Sequence, residues 1–196
     1  MARPSNREEI LREGLDVVRS RGFTAAGVRE ITGAAGVPQG SFTNHFASKE
    51  AFGLEILARY FGDLRTLVAD TIEAEGDPLL RLRRYFDAIT ERLEARGWQH
   101  GCLIGNLSLE STEHSDAIRA RLTEIFTEWR VPFARCLDEA AADGHITLTV
   151  SALDLADFLL ASWQGAILRM KVERSPEPLG RFTDVVFTTV LVPKER

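Results

Sequence analysis

A chain of 196 residues with 44% hydrophobic content is long enough to bury a sizeable core without metal or disulfide support. Its formal net charge of −5 argues against a uniformly basic nucleic-acid binder, because phosphate contacts need Lys and Arg. The balance is uneven, however: residues 1–50 carry 7 Lys/Arg against 6 Asp/Glu, about +1, which leaves about −6 for the rest.

The two cysteines, Cys102 and Cys136, show no Cys-x-x-Cys spacing, and no apolar N-terminal segment of signal-peptide type is present. Apolar runs fall well short of the roughly 18 residues a membrane span requires. These features predict a cytoplasmic protein with reduced thiols and no membrane partner.

Helical periodicity runs almost throughout and predicts an all-α fold; the β-leaning run ITLTV at 146–150 is short enough for a connector. Ser5 and Glu8 make a capping box for a first helix over 5–21, with Arg3 and Arg7 as a candidate basic arm at its start. Two short helices follow, over 27–35 and 38–45, and then a long one over 48–75. Asp77-Pro78 opens a helix over 77–96, followed by helices over 101–112, 115–143 and 151–173. Ser175-Pro176 opens the last, over 176–191, since each pair supplies an N-cap and a proline at the first helical position. Gly76, Gly97 and Gly144 stand where helices stop. That makes about nine helices without a low-complexity linker, so the natural seam falls within the fourth.

The stretch GVPQGSFTNHFASKEAF at 36–52 carries the functional reading. Two short helices joined through Ala34-Ala35-Gly36-Val37 have the proportions of a helix-turn-helix, with Ile31, Ala35, Val37, Phe42 and Phe46 as its apolar floor. Phe42 and Phe46 lie one turn apart and share the buried face, which sends Gln39, Gly40, Thr43 and Asn44 outward or to the flanks. Gln and Asn can pair bidentately with adenine edges, Ser and Thr can reach bases or phosphates, and Gly40 allows close backbone approach. Lys49, after Ser48 at a helix start, suits a phosphate.

The same stretch, A-G-V-P-Q-G-S-F-T-N-H-F-A-S-K-E, resembles the TetR family of one-component bacterial repressors, whose signature runs roughly A-G-V-x-x-G-x-x-Y-x-H-F-x-S-K-E. The resemblance implies a DNA-binding domain of three helices over 1–48 and a ligand-binding and dimerisation domain over 49–196. It carries DNA-facing roles onto Gln39, Ser41, Thr43, Asn44, His45 and Lys49, with Arg29 on the preceding helix as a further candidate. Thr43 replaces the usual tyrosine, removing a phosphate-contacting phenol. Ala26-Gly27 replaces the usual Thr-Ser, removing a hydroxyl N-cap of about 1 kcal/mol. Both departures predict weaker or retargeted DNA contacts, and neither breaks the fold.

With so few cationic contacts, one helix-turn-helix binds poorly; a homodimer spacing two recognition helices about 34 to 36 Å apart on a palindromic operator is the physical requirement. The resemblance puts the dimer interface on the last two long helices, where Leu160, Trp163, Ile167, Phe182 and Val186 follow helical spacing. In the C-terminal half, Phe61, Tyr85, Phe86, Ile89, Leu107, Phe126, Trp129 and Phe133 are candidates to line a cavity for an apolar or aromatic effector, although most such positions serve as core.

HGCLIGNLSLES at 100–111 places Cys102 at a helix N-terminus, where the dipole favours thiolate; by position alone, a free cysteine there is equally a small hydrophobe. G-C-L here, S-F-x-x-H-F with S-K-E-A-F-G in the reader, and G-A-I-L-R-M-K-V-E-R-S at 165–175 resemble the TetR subgroup that senses electrophiles and reactive chlorine. The reactive pair implied is Cys102 and Lys171. The same G-C-L occurs in relatives that bind ligands reversibly, so thiol switch and packing residue both stay open.

Cys102 and His100 supply at most two of the groups that catalysis needs, so no enzyme and no cofactor is expected. His100, Cys102, His114 and Cys136 lack structural-zinc spacing, so no metal is expected. The sequence thus reads as a DNA-binding repressor, released from its operator by a small-molecule or thiol-reactive effector. The alternative is a helical small-molecule-binding dimer without DNA-reading activity, which the Thr43 and Ala26-Gly27 departures keep open.

Overall fold

The computed structural model describes residues 6–193, so Arg3 and the expected cap Ser5 lie outside the described residues. Among those residues the chain is helical with no strand. The order is α1 (Asn6–Arg21), α2 (Val28–Ala34), α3 (Gly40–His45), α4 (Lys49–Thr71), α5 (Pro78–Glu94), α6 (Leu103–Glu110), α7 (Asp116–Ala142), α8 (Ala152–Glu173) and α9 (Glu177–Val185). A π-helical turn over Val186–Val190 continues α9, so the last expected helix is α-helical for only its first part. No described helix is long and apolar enough to cross a membrane.

Two compact units divide the chain, and the divisions fall inside α4, inside α7 and in the loop before α6. The first holds the described residues up to Gly62 together with Cys102–Glu124; the second holds Asp63–Gly101 and the described residues from Ile125 onward.

In the first unit, α1 buries Ile10, Leu11, Leu15 and Val18 along one stripe of 3.6-residue period. Gly14 sits in that stripe because a Cβ there would meet Phe52 Cζ at 2.7 Å and Ile31 Cγ2 at 2.8 Å. At Gly53 a Cβ would meet Phe23 Cζ at 2.6 Å, so a second close approach depends on a missing side chain. Helices as short as α2 and α3 are marginal alone and need tertiary packing. Phe42, Phe46 and Phe52 supply it as a ring cluster with centroid separations of 5.1, 5.5 and 5.3 Å. Leu103, Ile104 and Leu107 of α6 and Ile118 and Leu122 of α7 add to this unit's buried residues.

In the second unit, Asp77 caps α5 by accepting a hydrogen bond from the Leu80 amide at 2.9 Å, with Pro78 at the first helical position. Leu82, Tyr85, Phe86, Ile89 and Leu93 form its buried stripe. Phe86 is the hub of an aromatic core, with ring centroids 4.9 Å from Trp163, 5.0 Å from Phe182 and 6.0 Å from Phe133. Trp129 Nε1 donates to the Tyr85 hydroxyl at 3.1 Å, satisfying both polar tips inside the core. At one end Arg81 is buried, donating to the Ala74 carbonyl at 2.8 Å and pairing with Glu139. Cys136 beside it donates to the Pro78 carbonyl at 3.2 Å, and burial pushes its thiol up to about 11. The Ser151 hydroxyl caps α8 by accepting from the Asp154 amide at 3.1 Å, and α8 ends at Arg174 in the left-handed region, φ 52°.

Candidate nucleic-acid interface

Helix α3 has two unlike sides, and the ring cluster decides which is which. With Phe42 and Phe46 buried, Gln39, Gly40, Thr43, Asn44 and His45 are all exposed, forming a surface of short polar groups with one opening at the glycine. The Thr43 hydroxyl donates back to the Gly40 carbonyl at 3.0 Å, which holds its methyl and oxygen in a set orientation. Arg29 is exposed on α2. Such a surface has the donors and acceptors to read base edges in a major groove, and Arg29 a cation for phosphate.

Two candidates lie elsewhere. Ser41 is 9% exposed and turned towards α1, where Asn6 Nδ2 donates to its hydroxyl at 3.5 Å. Lys49 is half-buried: its ammonium donates to the Thr24 carbonyl at 3.0 Å and rests 5.1 Å from the Phe23 ring centroid. Burial lowers its pKa, with the Glu110 carboxylate pulling the other way.

Sequence reasoning missed what meets Lys49 there. The α1–α2 turn is also held by Glu110, whose carboxylate accepts from the Thr24 amide at 3.0 Å across 86 positions of chain. Gly22 in the same turn has φ 88°, and a Cβ on it would lie 2.9 Å from each Glu110 oxygen. No local pattern announces a contact of that span. Nearby, the Ser115 hydroxyl donates to Glu50 at 2.5 Å.

Among the sensor candidates, Cys102 is the N-cap residue of α6, 6% exposed, with the Tyr60 hydroxyl 3.7 Å from its sulfur. The Tyr60 ring in turn carries the Arg19 guanidinium at 5.3 Å. Lys171 belongs to the second unit, half-exposed near the end of α8. Of the proposed cavity lining, Phe61 and Leu107 belong to the first unit; Tyr85, Phe86, Ile89, Phe126, Trp129 and Phe133 belong to the second. Tyr85, Phe86 and Phe133 pack ring against ring, with Tyr85 and Phe133 centroids 5.0 Å apart, so these rings form core in this conformation.

The interface candidates need a correction of helix face. Leu160, Trp163 and Ile167 are buried within the protomer's own core, where Trp163 packs on Phe86 and Phe182. Phe182 and Val186 are also buried, though they border an open groove of about 350 Å³ shared with Phe158, Ser162, Gly165, Arg169, Arg181 and Val185. On these helices the large apolar residues left in solvent are Leu153, Phe158, 54% exposed, Leu168, Val172, 75% exposed, and Val185. Phe158, Ser162, Gly165, Arg169 and Val172 recur at steps of three and four, a stripe on the opposite side of α8 from Leu160, Trp163 and Ile167.

With this geometry established, comparison with known proteins gives matches at both ends of the chain. Residues 10–56 match the family model described as bacterial regulatory proteins, tetR family, and residues 78–186 match that described as tetracyclin repressor-like, C-terminal domain. The HTH-type transcriptional repressor DhaR of Mycobacterium sp. (strain GP1) is 47% identical over 97% of this chain and 95% of its own length. A crystal structure of regulatory protein TetR from Rhodobacter sphaeroides is 34% identical, with a TM-score of 0.88 over 92% of this chain and 96% of that one. The reduced form of Escherichia coli NemR is 28% identical as a crystal structure, with a TM-score of 0.83 over 98% and 100% of the two chains.

Proposed function

This chain belongs to the TetR family of DNA-binding transcriptional regulators, and from that premise we propose how it works. The exposed side of α3 enters the major groove, with Gln39 and Asn44 reading base edges, Thr43 and His45 flanking them, Gly40 admitting the backbone and Arg29 meeting phosphate. A homodimer supplies the second copy of α3, so the operator is a palindrome with half-sites one helical turn apart. Residues 1–48 serve as the reader and 49–196 as the effector and dimerisation part. The groove-bearing stripe of α8 and α9, rather than the buried Leu160 side, meets the partner.

The observation that carries this reading is the ring cluster of Phe42, Phe46 and Phe52, which leaves α3 one orientation and therefore one polar face. Selection of duplexes from a random-sequence library by the wild-type chain, followed by titration of Asn44→Ala, tests it. Loss of one bidentate base contact costs about 1–3 kcal/mol and relaxes preference at one base pair per half-site. Equal affinity of wild type and Asn44→Ala for every duplex would end the reading.

Release follows a population shift: an effector that binds one conformer of the C-terminal helices more tightly draws the dimer into a spacing unsuited to successive major grooves. Cys102 is the effector group best supported by position, at the dipole end of α6 and in contact with Tyr60. The match to a structure described as a reduced form fits a thiol-dependent regulator. Cys102→Ser should hold DNA in the presence of quinone or hypochlorite that releases the wild type. An unaltered response would reduce Cys102 to packing and leave Lys171 without a role.

A further inference from the structure

The α1–α2 turn is grasped from both sides at one peptide. Thr24 gives its amide to Glu110 at the end of α6 and its carbonyl to Lys49 at the start of α4, each at 3.0 Å. Both partners are charged side chains, which makes each bond stronger than its neutral equivalent. The turn is shaped for the grasp: Gly22 has φ 88° and lacks the Cβ that would displace the carboxylate, while Phe23, packed against Gly53, forms the floor under the ammonium.

The need for such a hold lies in the next helix. Helix α2 begins after Gly27, which has extended backbone and makes no side-chain cap bond. Without a hydroxyl there, no side chain at the N-cap meets the free amides of the first turn, and the other tie across the turn is the exposed Arg21–Glu30 ion pair at 3.0 Å. Upstream of Gly27 the Ala26 amide bonds to the Gly22 carbonyl at 3.1 Å, so the direction of α2, and of α3 packed on it, is inherited from the turn.

We propose that Glu110 and Lys49 are positioning residues for DNA reading, a two-point clasp on Thr24 that replaces the absent cap of α2, and that Lys49 is not a phosphate ligand. This rests on the DNA-reading role of α3. It assigns Lys49 a function opposite to that suggested by its place at a helix start: its ammonium faces a carbonyl of its own chain.

The clasp and the DNA reading can be tested separately. In the DNA-free chain, Glu110→Ala should speed hydrogen exchange of the Thr24 amide by about tenfold or more, the loss expected for a hydrogen bond to a charged group. Glu110→Gln, which keeps an acceptor, should restore part of the protection. Lys49→Met keeps the aliphatic stem on Phe23, so the fold is retained and its melting temperature serves as the control. With the duplex selected by the wild type, Lys49→Met and Glu110→Ala should each weaken binding about fivefold, as for one hydrogen bond lost. Both should leave the slope of log affinity against log salt unchanged, since no phosphate contact is removed. A slope shallower by about 0.9 in Lys49→Met alone would make Lys49 a phosphate ligand and overturn the proposal. So would a Thr24 amide whose exchange ignores Glu110→Ala. Selection of no duplex by the wild type would instead defeat the DNA reading, and is seen before any variant is made.

Discussion

The two units solve their packing in different ways. In the first, helices approach through gaps left by Gly14 and Gly53, with Phe52 and Phe23 filling them at distances no side chain could share. The result is a small body on which α3 presents a polar exposed face. In the second, the core is a set of large rings around Phe86, and Gly165 and Gly180 have open space about them. That unit leaves Phe158, Leu168 and Val172 in water beside a groove. The contrast teaches that the unit carrying the proposed reader helix is fixed by close approaches, whereas the unit proposed to pair and sense leaves apolar surface exposed.

The sharpest way to break this comparison is through the ring hub. Phe86→Ala should destabilise the chain by about 3–5 kcal/mol in urea titration, the cost of a large cavity where neighbours cannot collapse. A loss below about 1 kcal/mol would mean that the second unit is loosely packed after all. Next comes the glycine gap. Gly14→Ala adds a methyl carbon 2.7 Å from Phe52, and the overpacking should cost about 1–3 kcal/mol, although alanine ordinarily favours helices.

A smaller effect concerns alkaline stability. The Cys136 thiol titrates near 11 when folded, against an ordinary 9.0, because burial disfavours its anion. The folded state therefore holds its proton more tightly than the unfolded one, giving a contribution fully present below about 9 and lost as pH rises through about 11. Cys136→Ala should show a flatter decline than wild type across that window in denaturation at fixed pH. The smallest expected change in protomer stability is for Phe158→Asp on the exposed stripe, within about 0.5 kcal/mol. Sedimentation should nevertheless show it monomeric at concentrations where wild type is dimeric. A variant that stays dimeric would move the interface off this face.

Much of this was legible from the chain. Caps such as Asp77-Pro78, and the one-turn spacing of Phe42 and Phe46, are local features, so the helices and the outward face of α3 followed from them. Faces were harder where a helix is apolar on two sides. On α8 the stripe through Leu160, Trp163 and Ile167 and the one through Phe158 and Val172 are both hydrophobic, and only tertiary packing decides which is interior. Ser41 turned inward because Asn6 stands opposite it, and Lys49 did so because Thr24 does; neither partner is near in sequence. Electrostatic patterns at helix starts suggest ligands, but a carbonyl of the same chain can meet the same need.

The bare Cα at Gly22 carries a consequence for how such a protein can vary. Any substitution there crowds the carboxylate of Glu110, while shortening Glu110 frees the space but strands the Thr24 amide. Shortening Glu110 does not release Gly22, whose φ of 88° strains any side chain whatever the space, so the glycine is the more tightly bound letter of the two.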